Sequence, residues 1–439
     1  MVFCGDKSMR RHLILTLLGG LFLNSVASPI LSRLESAEIG NSSTISLVKS
    51  SDQQKTYYAV VIDAGSSGTR IHAFTFHRGR TNSNLILDNE FYKATEPGLS
   101  AYVDNPEDAA KSLYDLLAGA KAVIPKTEWS RTPFLLKATA GLRLLPPKKA
   151  ERILDECKKL INVSGFLVTD DSVSILESDD EGIYGWLTVN YLSDRLSYNI
   201  SKNTSAALDL GGGSTQVTYA KNNSGSPDLD NHIHTVNVFG RNISVYTDSY
   251  LGMGMDAARV TILTYGMDPE EIKTLKTVEV HSVCIDPHSY KEWDYRGQKF
   301  IVHGPYDLVA KSQKDYLSEC EKIIDDLIFA TDMNPIGLEE HEAYAFSGYF
   351  WTAAEAGLID VNAGGEVTVG SFEMAAERLC GNPNPEKAFQ CLDLKYVSAL
   401  LEQGLSLEPE QKLYLYRDLR GHELSWALGA AFGMLRNGK

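Results

Sequence analysis

Two short stretches of the sequence combine an aspartate with a small-residue turn that carries hydroxyl groups. The first runs from Asp63 to Arg70 as Asp-Ala-Gly-Ser-Ser-Gly-Thr-Arg, and the second runs from Asp209 to Gln216 as Asp-Leu-Gly-Gly-Gly-Ser-Thr-Gln. In both, an apolar run precedes the aspartate and a β-type run follows the turn, which predicts a hairpin with a Gly/Ser loop. Such loops offer backbone N–H groups and hydroxyls to phosphate oxygens. We expect two facing loops to hold a phosphate chain and its metal ion.

The candidate ligands of such a chain are the turn residues and the strand positions that follow them. They are Gly65, Ser66, Ser67, Gly68, Thr69 and Arg70 in the first stretch, and Gly211, Gly212, Gly213, Ser214, Thr215 and Gln216 in the second. Asp63 and Asp209 are candidate ligands of a divalent cation, mostly through water, because hard cations prefer carboxylate and water oxygens. An ordinary hairpin turn explains either stretch alone, whereas the coincidence of the two favours a binding site.

An acidic turn, Glu-Ser-Asp-Asp-Glu-Gly at 177–182, lies between the two loops in the sequence. It follows a predicted strand at 172–176 and precedes a predicted helix at 183–192. The carboxylate of Glu181 could therefore reach a cleft and act as a general base. The alternative for Glu181, and the expected role of Asp179 and Asp180, is to complement the dipole of the helix.

These candidates need elements that bring them together. Strands and helices alternate from Tyr57 onward, which is typical of the α/β class, and the stretch at 340–355 is predicted to be a single helix. The two Asp-led stretches lie about one domain length apart, so we expect two similar lobes that share a ligand-binding cleft. The composition is that of a globular protein, and the net charge of -15 over 439 residues argues against nucleic acid as a partner.

The N-terminus has the features of a secretory signal. Basic residues precede an apolar run at 13–23, and Ser25-Val26-Ala27 supplies small residues for cleavage. We therefore predict a signal peptide at 1–27, with an uncleaved signal anchor as the alternative. Residues 28–56 are polar and aperiodic, which predicts a flexible linker.

Cysteines and glycosylation motifs fit the same compartment. In an oxidising environment we expect the disulfides Cys284–Cys320 and Cys380–Cys391, with Cys157 left free. Six Asn-x-Ser/Thr sequons occur. The three in polar stretches are the predicted glycosylation sites, namely Asn199, Asn203 and Asn222.

Five motifs, in order, resemble those of the apyrases, the ecto-nucleotidase-type nucleoside di- and triphosphate hydrolases. They lie at 63–70, 137–145, 178–192, 208–216 and 426–430, and the resemblance extends from Tyr57 to Leu435. Within the family the chain is most similar to the soluble type-5 branch, the endoplasmic-reticulum nucleoside diphosphatases. The stretches at 93–101 and 345–347 support this branch.

The resemblance implies the two-lobed fold of actin, sugar kinases and heat-shock-chaperone ATPases, an α/β architecture with ribonuclease-H-like cores and a central nucleotide cleft. The first lobe would comprise 57–176 and 423–439, and the second 177–422. Among the side chains, Glu181 matches the position of the family's catalytic glutamate. Thr139 and Gln216 match positions near the metal or the attacking water, and Tyr349 and Phe350 match the aromatic region beside the nucleobase.

Two arginines in these motifs each have two possible roles. Arg70 either neutralises a phosphate or pairs with an acid at the edge of the loop. Arg143 has the same two options, and we expect the structural one.

The activity implied by the resemblance is hydrolysis of nucleoside diphosphates, UDP and GDP above all, with Ca²⁺ or Mg²⁺ as the cofactor. It would take place in the endoplasmic reticulum lumen or outside the cell, or in the Golgi if the signal is an anchor, and would support protein glycosylation. We expect a monomer that contacts a membrane only through an uncleaved N-terminus. The alternatives are a broader apyrase that also acts on triphosphates, a sugar or acyl kinase of the same fold, and a nucleotide-binding protein without activity.

Overall fold

The computed structural model describes residues 55–79, 84–196, 204–221, 231–305 and 312–437. The strands are β1 (Thr56–Ala64), β2 (Thr69–Arg78), β3 (Leu85–Thr95), β4 (Phe134–Ala138), β5 (Val173–Ile175), β6 (Ala206–Leu210), β7 (Ser214–Ala220), β8 (Ile233–Val238), β9 (Arg241–Leu251), β10 (Thr277–His281), β11 (Tyr290–Tyr295), β12 (Gln298–His303), β13 (Ala343–Ser347), β14 (Gly365–Thr368), β15 (Lys412–Leu415), β16 (Asp418–Leu419) and β17 (His422–Glu423). The helices are α1 (Pro106–Ser112), α2 (Tyr114–Val123), α3 (Ala140–Arg143), α4 (Pro147–Asn162), α5 (Ser178–Leu192), α6 (Met255–Leu263), α7 (Pro269–Thr274), α8 (Gln313–Phe329), α9 (Gly348–Glu355), α10 (Gly370–Cys380), α11 (Gln390–Ala399) and α12 (Trp426–Asn437). The predicted signal segment, nearly all of the linker and the sequons at Asn199, Asn203 and Asn222 lie outside the described residues.

Two sheets share one strand order. The first sheet runs β3-β2-β1-β4-β5, and the second runs β14-β15-β13-β6-β7-β9-β8. In the first, β1, β2 and β3 form an antiparallel meander, and β4 and β5 join it in parallel. Strands β6, β7, β9, β13 and β15 repeat this arrangement in the second sheet. The repeat is the duplicated α/β core that the sequence predicts.

The two hairpins of these sheets have equivalent registers. Asp63 on β1 lies opposite Arg70 on β2, and Asp209 on β6 lies opposite Gln216 on β7. Each aspartate is the next-to-last residue of its strand, directly before the loop. The shared register therefore delivers both carboxylates to the same end of their sheets.

Helices α5 and α12 pack together along the two sheets. The approach is close: a Cβ at Gly429 would lie 2.2 Å from the carbonyl oxygen of Tyr184, and the Gly429 N–H donates to the Thr188 hydroxyl at 3.0 Å. Helix α12 also packs on β1, whereas α5 packs on β6, β7 and β9. Trp186 on α5 and Ala427 on α12 are fully buried in this region. The pair fixes the N-terminal turn of α5 against the second sheet.

A smaller sheet, ordered β10-β12-β11, extends from the second half of the chain. Strands β10 and β12 are parallel, whereas β11 and β12 form a hairpin. At the turn of that hairpin, the Arg296 guanidinium donates to the carbonyl oxygen of Leu144. The small sheet thus contacts the segment that follows α3.

Several predictions can be compared directly with these elements. The disulfides Cys284–Cys320 and Cys380–Cys391 are confirmed, and Cys157 is free and buried. A single predicted helix at 340–355 is wrong, because Ala343–Ser347 forms the buried central strand β13 before α9 begins. A short apolar run on a fully buried strand has no polar face that would reveal its period. No helix among the described residues combines the length and apolarity needed to cross a bilayer.

Candidate active site

Both predicted loops line a single cleft of about 340 Å³. Asp63, Asp209, Thr139 and Glu181 line it as well, although they come from four separate segments of the chain. The structure therefore brings the predicted phosphate loops, cation ligands and base into one site.

The second loop is held from behind by the N-terminus of α6. The carbonyl oxygens of Gly211 and Gly212 accept hydrogen bonds from the backbone N–H groups of Met255 and Asp256, at 2.8 and 2.9 Å. The C=O and N–H of a trans peptide point in opposite directions. The N–H groups of Gly212 and Gly213 therefore point away from these α6 donors, which suits them to bind an anion.

The first loop closes against the second one and against α3. A Cβ at Gly212 would lie 2.3 Å from the Ser66 hydroxyl oxygen, and one at Gly141 would lie 2.8 Å from the Ser66 Cα. Real Cβ atoms do not approach so closely, so a side chain at Gly141 would displace the Ser66 backbone, and one at Gly212 would displace the Ser66 and Asp256 side chains. The absence of side chains here lets the two hairpins face each other at short range.

Several oxygen atoms around the cleft are buried without a hydrogen-bond partner among the described residues, and three of them are carboxylate or amide oxygens on β1, β6 and β7. These three are Asp63 Oδ1, Asp209 Oδ1 and Gln216 Oε1. The Gln216 amide nitrogen donates to the hydroxyls of Ser214 and Ser249, both at 2.8 Å, which leaves the amide oxygen at the other end of the group. Buried oxygens without partners are costly unless a ligand satisfies them.

Glu181 lies in the first turn of α5, because this helix begins at Ser178 and so earlier than the predicted helix at 183–192. The Glu181 backbone N–H donates to the carbonyl of Glu177. The next residue, Gly182, packs closely on the second sheet: a Cβ there would lie 2.5 and 2.3 Å from the hydroxyl oxygens of Thr218 and Thr247. This packing presses the turn onto the second sheet. Glu181 is 7% exposed as a residue, and it lines the cleft.

Arg143, the last residue of α3, forms an ion pair with the Glu181 carboxylate. Of the two roles left open for Arg143, the structure therefore shows pairing with an acid, and that acid is the candidate base. Arg70 lies 3.9 Å from Asp63 and also lines the cleft, so its position serves either role.

The three carboxyl groups share a poorly hydrated space, and their pKa values rise accordingly. Burial is the main cause at each one. It raises the pKa of Glu181 to about 8 against the opposing effect of Arg143, with the charges of Asp209 and Asp63 adding to the rise. Burial likewise raises the pKa of Asp209 to about 7, and it raises that of Asp63 despite the nearby Arg70. A cation between the aspartates would reverse the mutual repulsion.

Thr139 links the first loop to α3. Its backbone N–H donates to the Ala64 carbonyl at 3.2 Å, and its side chain lies at the N-terminal end of α3 and in the cleft lining. The position suits contact with the cation or its waters, as the sequence motif predicts.

Some candidates lie behind the cleft instead of on its surface. Gly68, Thr69, Thr215 and Gln216 do not line it, and the Thr215 hydroxyl donates to the Asp209 carbonyl at 2.8 Å. The prediction that Thr69 and Thr215 contact phosphate directly is therefore corrected, because strand pairing buries both side chains completely. Gln216, in contrast, retains its unsatisfied oxygen.

The aromatic candidates also need correction. Tyr349 is 0% exposed, with its hydroxyl 3.5 Å from that of Thr215, so no base can stack on it. Phe350 lines the cleft but is only 1% exposed. The accessible aromatic surface belongs to Trp351, which lines the cleft at 46% exposure. Sequence reasoning missed Trp351 because the rotation of α9 is not visible in a run of three aromatic residues.

Two further features of the cleft carry little sequence signal. Arg259 forms a bidentate ion pair with Asp393, both contacts at 2.7 Å, across 134 positions of the chain. Ser347, which joins β13 to α9, has a φ of 56°, an uncommon value for a residue other than glycine. Arg259, Asp393 and Ser347 all line the cleft, as Trp351 does.

Comparison with known proteins agrees with this geometry. Residues 49–438 match the GDA1/CD39 (nucleoside phosphatase) family. The chain is 39% identical over 392 residues to an ectonucleoside triphosphate diphosphohydrolase 6 from Mus musculus, covering 86% of this chain and 82% of that protein. It is 35% identical over 391 residues to a nucleoside diphosphate phosphatase from Homo sapiens, covering 87% and 88% of the two chains.

Among solved structures, a nucleoside triphosphate hydrolase from Neospora caninum is similar with a TM-score of 0.58 at 13% identity, over 88% of this chain and 94% of that chain. This likeness confirms the predicted actin-like fold. The family match favours hydrolysis over the kinase and over the binding protein without activity. The chain therefore belongs to the GDA1/CD39 (nucleoside phosphatase) family and is an enzyme that hydrolyses phosphoanhydride bonds of nucleoside di- or triphosphates.

Proposed function

We propose that this protein hydrolyses nucleoside diphosphates, with UDP and GDP as its main substrates, to the monophosphate and free phosphate, and that Glu181 is the general base. The observation that carries the proposal is the placement of a buried, Arg-paired glutamate in a cleft lined by two loops and two aspartates. The name of the human relative, a nucleoside diphosphate phosphatase, supports diphosphates as the substrate class.

A divalent cation, Ca²⁺ or Mg²⁺, fits this site. The three unsatisfied buried oxygens, on Asp63, Asp209 and Gln216, are the donor type that hard cations prefer, and Thr139 adds a hydroxyl nearby. Asp63 and Asp209 would hold the ion mostly through water, with Gln216 and Thr139 orienting that water. When bound, such an ion neutralises charge on the phosphate oxygens.

The loops of the chain bind and orient the phosphates. Backbone N–H groups of Gly212 and Gly213, together with the Ser66, Ser67 and Ser214 hydroxyls, offer donors on both sides of the cleft. Arg70 supplies positive charge at the edge of the first loop. Because the donors belong to two facing hairpins, they can hold neighbouring phosphates in line for displacement.

Glu181 accepts a proton from the attacking water. Its raised pKa of about 8 makes it a stronger base than an exposed carboxylate once it is ionised. Arg143 holds the carboxylate in place and favours its ionised form. A cation beside Asp63 and Asp209 would favour that form further, so the base would be ionised when the cation is bound.

We place the activity in the secretory pathway, in the endoplasmic reticulum lumen or beyond it. Two disulfides, Cys284–Cys320 and Cys380–Cys391, support an oxidising compartment. Removal of UDP and GDP there would relieve product inhibition of glycosyltransferases and so support protein glycosylation.

The test is phosphate release by Glu181→Gln, a substitution that keeps the volume of the side chain and removes the base. We expect a loss of about 10²- to 10⁴-fold in kcat for UDP, with folding retained. Asp179→Asn is the matched control, because Asp179 lies in the same helical turn but interacts with His234 outside the cleft.

A panel of UDP, GDP, ADP and UTP with Ca²⁺ or Mg²⁺ tests the substrate class. Faster turnover of UTP than of UDP would contradict the proposed diphosphatase activity and would support a broader apyrase instead. Near-full activity of Glu181→Gln would instead overturn the assignment of the base.

A further inference from the structure

Three metal-binding side chains meet at one end of the small sheet, away from the cleft. His281 ends β10 and His303 ends β12, and the two are direct partners in the parallel pairing of these strands. Glu279 lies two positions before His281. Side chains two apart on a strand point to the same face, so the sheet presents the three groups together.

Their distances suit a small coordination sphere. His303 Nε2 lies 3.2 Å from Glu279 Oε1, whereas the two imidazole rings are stacked with their centroids 4.6 Å apart, so one ring must rotate about its side-chain torsions to point its in-plane lone pair at a shared ion. One ligand atom from each residue falls within 4.8 Å of the others. Ligand atoms of a tetrahedral zinc site, with bonds near 2.0–2.1 Å, are separated by about 3.3 Å.

The proton on His281 is placed by a backbone contact. His281 Nδ1 lies 3.0 Å from the carbonyl oxygen of Gly304. A carbonyl only accepts, so Nδ1 carries the hydrogen and Nε2 carries the lone pair in the neutral ring. Donation of the second ring N–H to a carbonyl is the arrangement that orients metal-ligating histidines.

His303 adds an independent indication. Its Nε2 is buried and has no hydrogen-bond partner among the described residues, although the Glu279 oxygen is within 3.2 Å. The contact is an ion pair at most, without hydrogen-bond geometry. A cation between the two atoms would use both lone pairs.

We infer that Glu279, His281 and His303 form a second metal site, specific for a zinc-class divalent transition metal and separate from the nucleotide cleft. Two imidazoles and a carboxylate match borderline metals such as Zn²⁺, with water in the fourth position. Ca²⁺ and Mg²⁺ prefer all-oxygen ligands, so the cleft cation would not compete.

The site would have a structural effect. The ion would join β10 to β12 next to the segment that carries the Cys284–Cys320 disulfide, where Ser282 N–H already donates to the His303 carbonyl at 3.0 Å. A metal that binds only the folded state stabilises it by RT ln(1 + M/Kd), where M is the free metal concentration, so thermal stability rises with M. We therefore expect Zn²⁺ to raise the melting temperature in the presence of saturating Mg²⁺.

The test is equilibrium dialysis of the full chain, without an affinity tag, against micromolar Zn²⁺ in millimolar Mg²⁺. We expect one bound zinc per chain, and at least tenfold weaker binding after the double substitution His281→Ala and His303→Ala. His288→Ala is the matched control, because this exposed histidine lies in the same connection but outside the cluster. It should retain the bound zinc.

A second variant guards against misfolding. Glu279→Gln changes an exposed carboxylate on the strand surface and should also weaken zinc binding while the circular dichroism spectrum is unchanged. Equal zinc affinity in the wild type, the double variant and Glu279→Gln would overturn the site, as would a wild type that binds no zinc. UDP hydrolysis should be unaffected by Glu279→Gln, which separates this inference from the proposed function.

Discussion

Binding of the cleft cation should release protons. The Glu181 and Asp209 carboxyl groups have raised pKa values of about 8 and about 7, chiefly because they are buried, and the neighbouring carboxylates add to the rise. A divalent ion held by Asp63 and Asp209 replaces that repulsion by attraction and lowers both pKa values. Protons that these groups hold in the free protein must then leave.

The expected number follows from the two pKa values. At pH 7, a group with a pKa of about 8 is roughly nine-tenths protonated, and one with a pKa of about 7 is half protonated. Full ionisation of both would therefore release about 1.4 protons per chain. At pH 9 both groups are already ionised to roughly 90% or more, so the release should almost vanish.

Calorimetric titration with Ca²⁺ measures this release. The binding heat is recorded in two weakly coordinating buffers with different ionisation enthalpies, and the difference gives the number of protons transferred. Glu181→Gln should reduce the release at pH 7 to about half a proton, the share of Asp209. Asp179→Asn should leave it unchanged. Heats that do not depend on the buffer at pH 7 would refute the electrostatic account of the site.

The same groups govern stability in the absence of a cation. Because their pKa values in the folded protein exceed those of an unfolded chain, the folded state holds more protons between pH 4 and pH 8. Their contribution to the free energy of unfolding is therefore largest at low pH and declines as the pH rises through this window. Saturating Ca²⁺ should flatten that decline, which thermal melts at pH 5 and pH 8 can show.

Three substitutions test the neighbours of these groups. Arg143→Ala should raise the pKa of Glu181 and move the acidic limb of the pH–kcat profile upward by a unit or more. Gly141→Ala should lower kcat about a hundredfold, because the new Cβ would lie only 2.8 Å from the Ser66 Cα and would push the first loop out of position. Trp351→Ala should raise KM for UDP about tenfold, with kcat little changed, if its exposed ring stacks on the base.

Matched controls accompany each change. Arg143→Lys keeps the charge and should shift the profile less. Gly185→Ala places a methyl group in α5 with its nearest contact at 3.6 Å and should leave kcat intact. Tyr349→Phe should not alter KM. An unchanged KM for Trp351→Ala would refute stacking of the base on this ring.

The hairpins and their aspartates were predictable because their signals are local. Apolar runs, a glycine turn and an aspartate occupy adjacent positions, so the strand ends at Asp63 and Asp209 can be placed directly. The disulfide partners were also correct. Even the position of Glu181 before a glycine pointed to the cleft, although its helix begins earlier than its apolar residues indicate.

The remaining parts depend on contacts between distant segments. Strand β13 was predicted to be helical, since burial on both faces hides its period. The pairing of Arg143 with Glu181 spans 38 positions, and that of Arg259 with Asp393 spans 134. Neither leaves a pattern in one sequence. Trp351 was missed for the same reason, as only the packing of α9 decides which of its aromatic rings is exposed.

The matching registers of the two hairpins have a directional consequence. The residue opposite the aspartate is Arg70 in one hairpin and Gln216 in the other. Two identical hairpins would bind a linear polyanion equally well in either orientation. Because one hairpin has a cationic side chain where the other has a neutral amide, the electrostatic potential differs between the two sides of the cleft. A bound phosphate chain is therefore held in one preferred orientation. The duplicated backbone therefore becomes directional where its two copies differ in side chains, and Arg70 and Gln216 are the equivalent positions at which they differ in charge.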